Sequence, residues 1–198
     1  MNIVFASGNK GKIKEIKDLF SGTGYDVISL FELGGVPDIT EDGSTFEENA
    51  KKKAFTIYEN LKVPIIADDS GLAVDQLNGA PGVYSARYAG DNVTYEDNNN
   101  KLIKELWTYS EPHPAKFICC AVYFDGKTYL TATGELPGRI IKEFRGEHGF
   151  GYDPIFVPEG YDRTLAELSL EEKNRISHRA KAFNKLKKLL TGENRNET

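Results

Sequence analysis

Two adjacent aspartates stand directly behind a short apolar run in the first half of the chain. Residues 63–67 read Val-Pro-Ile-Ile-Ala, and Asp68, Asp69, Ser70 and Gly71 follow. The apolar run is typical of a buried strand, and the tetrapeptide predicts a tight turn where that strand ends. Ligands favour the carboxyl ends of strands in an open α/β sheet, and paired carboxylates there suit a divalent metal or a general base. The alternative is an Asp-rich turn whose side chains bond their own backbone.

Size, charge and cysteine usage narrow the class of protein. The 198 residues can build a real core, and we expect a single domain over residues 1–198. A formal charge of −5 argues against a protein that grips nucleic acid. Cys119 and Cys120 are neighbours, which disfavours a disulfide or a zinc site and favours a reducing cytosol. Because no apolar run approaches ~20 residues, we expect a cytoplasmic protein with no membrane segment.

Strand-like and helix-like patterns alternate in the first half of the chain, and a hairpin follows. Residues 2–6 indicate a buried strand, and a helical pattern follows from Ile13 onward. Further helix starts are predicted by a capping box at Ser44-Thr45-Phe46-Glu47, at Thr94 and near Ser177, and a hairpin turn is predicted at Asp125-Gly126. This order favours an α/β fold with a mixed central sheet and flanking helices.

A glycine-containing turn with two lysines joins the first predicted strand to the first helix. It consists of Ser7, Gly8, Asn9, Lys10, Gly11 and Lys12. Backbone N–H groups at a helix N-terminus bind phosphate well. The glycines are two residues too close for a Walker A loop, and Ile13 follows the lysine where Ser or Thr would bind Mg²⁺. The turn is a candidate phosphate site of another kind, and an ordinary turn with solvated lysines is the alternative.

The next helix also places polar side chains beside its apolar stripe. Glu41, Asp42 and Gly43 form an acidic turn before it, for which a solvated loop is the commoner interpretation. Asn49 and Lys53 are four residues apart and flank the stripe, so both can face one cleft. A lysine on a helix more commonly faces water.

Two segments in the last third of the chain combine aromatic rings with hydrogen-bond donors. The segment Gly149-Phe150-Gly151-Tyr152-Asp153-Pro154 suits stacking on a nucleobase, or packing as an aromatic turn. Ser177-His178-Arg179 opens the last helix, where two donor groups in the first turn require an anionic or acceptor partner. A buried glutamate would serve as that partner equally well. Lys173 lies one to two turns upstream and can join the group.

Taken in order, five segments resemble those of one enzyme family. They are SGNKGK, EDG, ADDSGLAVDQLNGAPGVYSARY, GFGYDPIF and EEKNRISHR. They are similar to the inosine triphosphatase family in its bacterial form, the house-cleaning pyrophosphatases of noncanonical purine nucleoside triphosphates, and the resemblance runs from Asn2 to about Leu190. It implies an elongated α/β fold with a mixed sheet in two lobes around a cleft, a homodimer, and a Mg²⁺-dependent hydrolase. The implied reaction converts ITP, dITP or XTP and water into the monophosphate and pyrophosphate, which removes these nucleotides from the nucleotide pool.

The resemblance also implies a role for each matched residue. Asp69 would be the proton acceptor and, together with Glu41, a metal ligand. The phosphates would be held by Ser7, Gly8, Asn9, Lys10, Gly11, Lys12 and Lys53, while Ser70 would touch the substrate, and the nucleoside would be bound by Phe150, Gly151, Tyr152, Asp153, Lys173, His178 and Arg179. Donors on His178 and Arg179 suit the 6-oxo group of hypoxanthine or xanthine and would oppose the 6-amino group of adenine. How Asp68 and Asp69 divide the work stays open.

Two other functions compete with this interpretation. A Maf-type nucleotide pyrophosphatase would cleave pyrimidine or modified triphosphates on a related architecture. A nucleotide-sensing or RNA-binding module would hold phosphates without hydrolysing them. The acidic charge and the pair of aspartates disfavour the binding module, because a pure binder needs no metal-activated water.

Overall fold

The structure, a computed structural model, describes residues 1–35 and 39–192, and in these residues strands and helices alternate over the first half of the chain. The strands are β1 (Asn2–Phe5), β2 (Asp26–Ser29), β3 (Ile65–Val74), β4 (His113–Phe124), β5 (Tyr129–Ile140) and β6 (Phe156–Pro158). The helices are α1 (Lys10–Phe20), α2 (Phe46–Leu61), α3 (Tyr95–Leu106), α4 (Leu170–Ile176) and α5 (His178–Thr191).

The strands form one mixed sheet in the order β2-β1-β3-β4-β5-β6. β1 pairs in parallel with β2 and with β3, and β5 pairs antiparallel with β6. The neighbours β4 and β5 are joined at the predicted turn, where Oδ1 of Asp125 accepts from the backbone N–H groups of Lys127 at 2.9 Å and Thr128 at 2.8 Å. The mixed α/β class predicted from the sequence is confirmed.

Side-chain caps define where the helices begin. Thr94 caps α3 in a capping box with Asp97, as the sequence predicts. The capping box predicted at Ser44 and Glu47 is wrong by one residue, because Thr45 and Glu48 form it. Glu48 is the acid that reaches back, and its Oε2 accepts from Thr45 N at 3.2 Å and from Ser44 N at 2.7 Å.

The pair of aspartates lies inside β3, so the tight turn predicted at this point is wrong. The strand continues through Ser70 and Gly71 to Val74, and the chain turns only afterwards. Continuing the strand buries Leu72 and Val74 completely, and the burial of apolar side chains favours this outcome over an early turn. Since successive side chains of a strand point to opposite faces, Asp68 and Asp69 lie on opposite faces of the sheet.

The chain forms two compact units. Unit 1 contains Met1–Asp69, Cys119–Gly134 and the chain from His178 onward, and unit 2 contains Ser70–Ile118 and Glu135–Ser177. The single domain expected from the sequence remains a prediction.

Unit 1 has an apolar core on each face of its strands. The core beside α1 and α5 contains Ile3, Phe5, Phe20, Ile66, Cys119 and Phe183. The core beside α2 contains Val4, Ala6, Ala54, Ile65, Ala67 and Cys120. Unit 2 has a core of its own, which includes Leu72, Leu102, Ile155 and Phe156. The strict alternation of strand residues between the two cores of unit 1 extends to the two aspartates that follow Ala67 in β3.

The remaining sequence expectations concern membranes and cysteines. Within the described ranges, no helix combines the length and the apolar character that crossing a bilayer requires. Cys119 and Cys120 are both buried and both free.

Candidate active site

Four carboxylates, among them those of Asp68 and Asp69, form a cluster with three cationic side chains in unit 1. These seven residues, which we call the acid centre, are Glu15, Glu41, Asp68, Asp69, Lys12, Lys53 and Arg179. They come from α1, from the loop before α2, from α2, from β3 and from α5. The acid centre therefore brings together residues that are up to 167 positions apart in the chain, from Lys12 to Arg179.

Asp68 is fully buried on the α1 and α5 face and is held by two cations. Its Oδ2 lies 2.9 Å from Nζ of Lys12 and 3.3 Å from Nε of Arg179. The thiol of Cys119 donates to the same oxygen, with 3.8 Å between Sγ and Oδ2. Burial alone would raise the pKa of Asp68, but the charges of Lys12 and Arg179 outweigh it and hold this pKa well below its ordinary value. Asp68 is therefore a permanently ionised group whose charge is already compensated.

Arg179 bridges Asp68 to a second buried carboxylate. Its Nη1 lies 2.5 Å from Oε2 of Glu15, which α1 places one turn after Lys12. A buried glutamate is one of the partners that the sequence allows for the donors that open α5, and Glu15 is such a partner for Arg179. Gly134 lets α5 come close, because a Cβ at this position would collide with the backbone of His178 and Ala182. Nη1 and Nε of Arg179 face carboxylates, whereas the sequence predicts that Arg179 reads the base.

Asp69 is buried on the α2 face and has different partners. Its Oδ1 accepts from Nζ of Lys53 at 3.2 Å, and its Oδ2 accepts from Nδ2 of Asn49 at 3.1 Å. The ammonium of Lys53 also lies 3.1 Å from Oε2 of Glu41. Asn49 uses its other end to accept from the backbone N–H of Gly43 at 2.8 Å. The acidic turn at 41–43 is thereby tied to Asp69 by two side chains of α2.

The two aspartates differ in how well their charges are compensated. Burial raises the pKa of Asp69, and Lys53 opposes this only in part because it is shared with Glu41. Burial disfavours the charged form of Lys53, but Asp69 and Glu41 outweigh it and raise the pKa of this lysine. A pair of neighbouring acids whose pKa values are pushed apart is typical of sites that use one acid for proton transfer and the other for electrostatics.

The glycine-containing turn joins β1 to α1, as predicted. Asn9 is the N-cap of α1, and its Oδ1 accepts from the backbone N–H of Lys12 at 3.1 Å. Ser7 in turn accepts from the backbone N–H of Asn9 at 3.2 Å. Lys10 is exposed and Gly8 is exposed, whereas Lys12 turns inward to Asp68. The turn thus combines a helix N-terminus with one inward lysine.

The predicted nucleoside-binding residues of unit 2 form a second cluster. Oδ2 of Asp153 accepts from the backbone N–H of Phe150 at 2.9 Å and from Nζ of Lys173 at 2.8 Å. The ammonium of Lys173 also lies 4.7 Å from the centre of the Phe150 ring, within the range of a cation–π contact. Asp153 and Lys173 are both buried. We call residues 149–153 the aromatic loop.

The other predicted site residues are placed as follows. The hydroxyl of Tyr152 is buried and donates to the backbone oxygen of Ser85 at 2.9 Å, so this ring belongs to the packing of unit 2. Ser70 is half-buried and follows Asp69 in β3. His178 is buried at the first position of α5, in unit 1. The aromatic loop belongs to unit 2 and the acid centre to unit 1.

Glu15 and Cys119 contact predicted site residues but were not predicted as site residues themselves. A signal for Glu15 exists in the sequence, because it lies three positions after Lys12 and next to the buried Ile16 on α1, where an acid needs a partner. Cys119 has no comparable signal, since a cysteine in an apolar strand usually packs as a small apolar residue.

Glu41 and Asp69 are the residues of the acid centre best suited to hold a metal. No group of three His, Cys, Asp or Glu side chains in residues 1–35 and 39–192 is arranged as a complete metal site. Mg²⁺ is usually bound by one or two carboxylates, substrate phosphates and water, so two carboxylates suffice. Four carboxylates against three cations also leave the acid centre with excess negative charge. The donor set therefore fits a hard divalent cation.

Comparisons with known proteins cover nearly the whole chain. The model of the Ham1 family matches residues 3–189. A dITP/XTP pyrophosphatase of Bacillus subtilis (strain 168) is 49% identical over 189 residues, which cover 94% of this chain and 96% of that protein. The Ham1 protein of Staphylococcus aureus has a solved structure with a TM-score of 0.85 and 44% identity, covering 98% of this chain and 100% of that chain. A HAM1 protein from Coxiella burnetii has a TM-score of 0.88 and 41% identity, covering 97% of this chain and 99% of that chain.

Proposed function

The chain belongs to the Ham1 family, and we propose that it hydrolyses noncanonical purine nucleoside triphosphates to the monophosphate and pyrophosphate. The resemblance to the inosine triphosphatase family is confirmed. The substrates are dITP, XTP and ITP, and the bond that breaks joins the α- and β-phosphates. One observation carries the proposal. Relatives named dITP/XTP pyrophosphatase are 49% and 48% identical to this chain over 94% and 96% of its length, which includes the acid centre and the aromatic loop.

The proposed cofactor is Mg²⁺, held by Glu41 and Asp69. Nucleotide pyrophosphatases of this kind typically depend on a metal ion. When bound, the ion supplies Lewis-acid polarisation of the phosphate and offsets the charge of the departing pyrophosphate. The excess negative charge of the acid centre supports this assignment, since a triphosphate cannot approach carboxylates without further cations.

The proposed proton acceptor is Asp69, and not Asp68. Asp68 is occupied by Lys12, Arg179 and the Cys119 thiol, all on one oxygen, so its task is to orient these groups. Asp69 is held by Asn49 and Lys53 with one hydrogen bond on each oxygen. A water that attacks the α-phosphorus would give its proton to Asp69 as the bond to pyrophosphate breaks. The sequence leaves this division of work open, and the different partners of the two aspartates on the two faces of β3 support the proposal.

The phosphates are proposed to bind the turn from Ser7 to Lys12 together with Lys53. The N-terminus of α1 offers backbone N–H groups and the positive end of a helix dipole. Lys12 and Lys53 supply the charge that a triphosphate of about four negative charges requires. Both lysines contact carboxylates of the acid centre, which supports their assignment to the phosphates.

We propose that the aromatic loop, Lys173, His178 and Arg179 bind the nucleoside. Ser70 is proposed to touch the substrate. Phe150 offers a half-buried ring for stacking on a base, and Lys173 fixes that ring from one side. Donors on His178 and Arg179 would select the 6-oxo group of hypoxanthine and xanthine over the amine of adenine.

We also propose that the enzyme is a homodimer, a proposal that rests on the family resemblance. The two free cysteines support the proposal that it acts in the cytoplasm.

The test is an assay of products. The protein is incubated with ITP, dITP or XTP and Mg²⁺, and the products are separated. We expect IMP, or the matching monophosphate, and pyrophosphate. Release of the diphosphate and inorganic phosphate would contradict the proposed bond cleavage. Turnover of dTTP or UTP above that of ITP and XTP would favour the Maf-type alternative. The Asp69→Asn variant serves as the control for contaminating phosphatases.

A further inference from the structure

Two neighbouring asparagines in the middle of α3 are buried in unit 2. Asn98 and Asn99 are each 2% exposed, whereas the next residue, Asn100, is exposed. Asparagine is a poor helix former, and burial of an amide is unfavourable unless its polar atoms are bonded. Two such residues in succession therefore indicate that the amides perform a task that an apolar residue could not.

Each asparagine holds a different segment of unit 2. Oδ1 of Asn98 accepts from the backbone N–H of Ala89 at 2.7 Å, and its Nδ2 donates to the oxygen of Ala86 at 3.2 Å. Nδ2 of Asn99 donates to the backbone oxygen of Gly151 at 3.0 Å, across 52 positions of the chain. Asn98 satisfies both ends of its amide in this way.

Asn99 satisfies only one end of its amide. Within the part of the chain that the structure describes, its buried Oδ1 accepts no hydrogen bond. A buried acceptor without a partner destabilises a protein by about 1–3 kcal/mol. Stability of α3 therefore does not explain why this position carries asparagine, and the bond to Gly151 is what distinguishes it from leucine. Local rules are broken in this manner mainly at functional positions.

The bond from Asn99 acts on a loop that contains two glycines beside Phe150. Gly149 and Gly151 have φ values of +80° and +65°, a region that glycine enters readily, so the aromatic loop has many alternative backbone conformations. Asp153 fixes the N–H of Phe150 on one side, and Asn99 fixes the oxygen of Gly151 on the other. The backbone of Phe150 is thus pinned from both sides.

The same face of α3 also contacts the ring of Phe150. Tyr95 lies one turn before Asn99, and its ring centre is 6.3 Å from that of Phe150 at an interplanar angle of 40°. On another side of the ring lies Lys173, whose ammonium is also bonded to Asp153. The ring and the backbone of Phe150 are therefore held by one connected set of contacts, in which Tyr95 links the ring to α3 and Asn99 links the backbone to it.

We propose that Asn99 is a positioning residue that holds the aromatic loop in the conformation that binds the base of the substrate. The inference rests on the proposed function, because it assumes that Phe150 stacks on a purine. Without the bond from Asn99, the loop samples conformations in which the ring is displaced, and nucleotide binding is weakened by the loss of preorganisation. Binding of the phosphates does not involve this loop and is unaffected.

The experiment compares three variants. Asn99→Leu keeps the branching of the side chain and removes the bond, Asn99→Ala is a smaller substitute should the leucine fail to fold, and Asn100→Ala is the matched control on the exposed side of α3. Three quantities are measured: KM and kcat for ITP, the inhibition constant of inorganic tripolyphosphate as a competitor, and hydrogen exchange of the amides in residues 149–153.

We expect Asn99→Leu to raise KM for ITP about tenfold, the factor that corresponds to loss of one hydrogen bond, while kcat stays within about twofold. The inhibition constant of tripolyphosphate should remain that of the wild type, and exchange in the aromatic loop should accelerate. Asn100→Ala should change none of these quantities.

Two results would overturn the inference while the wild type remains an active ITP pyrophosphatase. One is that both Asn99 variants have the same hydrogen exchange in the aromatic loop and the same KM for ITP as Asn100→Ala. The other is an equal loss of affinity for ITP and for tripolyphosphate, which would indicate general damage to the enzyme. Failure of the proposed function would instead be seen in the wild type itself, as an absence of ITP turnover.

Discussion

Nζ of Lys53 lies 3.2 Å from Oδ1 of Asp69. The same ammonium lies 3.1 Å from Oε2 of Glu41, so one cation is shared between the two carboxylates proposed to hold the metal. Lys53 is buried on α2, and the carboxylates come from β3 and from the loop before α2. Through this lysine, three separate parts of unit 1 are brought to one point.

Removal of the Lys53 charge should impair catalysis strongly. In Lys53→Met the apolar arm of the side chain is kept, but the two carboxylates repel each other and the phosphates lose a partner. We expect kcat/KM for ITP to fall by about 10²-fold, as for other charge-stabilising donors of active sites. The matched control is Lys52→Met, since Lys52 pairs with the exposed Asp42 and should change little. Steady-state kinetics decides, and equal values for the two variants would contradict the proposed role.

Asp68 and Asp69 should differ in what their amide variants lose. Asp69→Asn removes the proton acceptor, and we expect kcat to fall by about 10²–10⁴-fold while the free energy of unfolding changes little. Asp68→Asn leaves the buried charges of Lys12 and Arg179 without their shared partner and should lower the free energy of unfolding by ~3 kcal/mol. Denaturant unfolding and ITP turnover, measured on both variants, separate the two effects. The reverse pattern would show that the assignment of roles is inverted.

Arg179 should matter for folding as well as for substrate choice. Arg179→Ala removes the arginine that pairs with the buried Glu15 and leaves Lys12 as the cation that contacts Asp68, and we expect a loss of about 3–5 kcal/mol in the free energy of unfolding. Arg175→Ala is the control, because Arg175 pairs with Glu171 in solvent. The ratio of ITP to ATP turnover in Arg179→Lys tests base reading separately. A ratio equal to that of the wild type would remove Arg179 from base recognition.

The metal should be required and should depend on Glu41. Treatment with a chelator should abolish ITP turnover, and addition of Mg²⁺ should restore it. In Glu41→Gln, we expect the Mg²⁺ concentration for half-maximal turnover to rise about tenfold or more. The control is Glu47→Gln, because Glu47 is an exposed acid of α2 that pairs with Lys51. Its Mg²⁺ concentration for half-maximal turnover should equal that of the wild type. Turnover that survives exhaustive chelation would refute the proposed cofactor.

Local signals in the sequence were sufficient for most of the elements, although they did not predict α4, and they were insufficient for the partners of the site residues. Periodicity predicts the other helices, and cap chemistry places the start of α3 at the correct residue. The capping box of α2 was misplaced by one residue because two hydroxyls and two acids follow one another there, and only the backbone direction selects Thr45 and Glu48. The pair formed by Glu15 and Arg179 joins residues that are 164 positions apart, a distance over which no local pattern operates.

The aspartates show most clearly where sequence reasoning stops. An Asp-Asp-Ser-Gly segment is turn-like in composition, and the burial of Leu72 and Val74 behind it overrides that preference. Once the segment is a strand, alternation alone assigns Asp68 to one face and Asp69 to the other. The sequence predicts the two aspartates as a pair, but their separate surroundings depend on which helix covers each face.

Because Asp68 and Asp69 lie in the strand β3, an insertion or deletion of one residue just before them should disrupt the acid centre. Deletion of one residue among 65–67 would exchange the surroundings of the two carboxylates, so that each would meet the cations meant for the other. A loop could absorb such a deletion by rearranging its backbone. To transfer this centre to a different scaffold, one would therefore have to transfer the strand together with the helices that cover its two faces. The acidic tetrapeptide alone would lack the cations that hold each carboxylate.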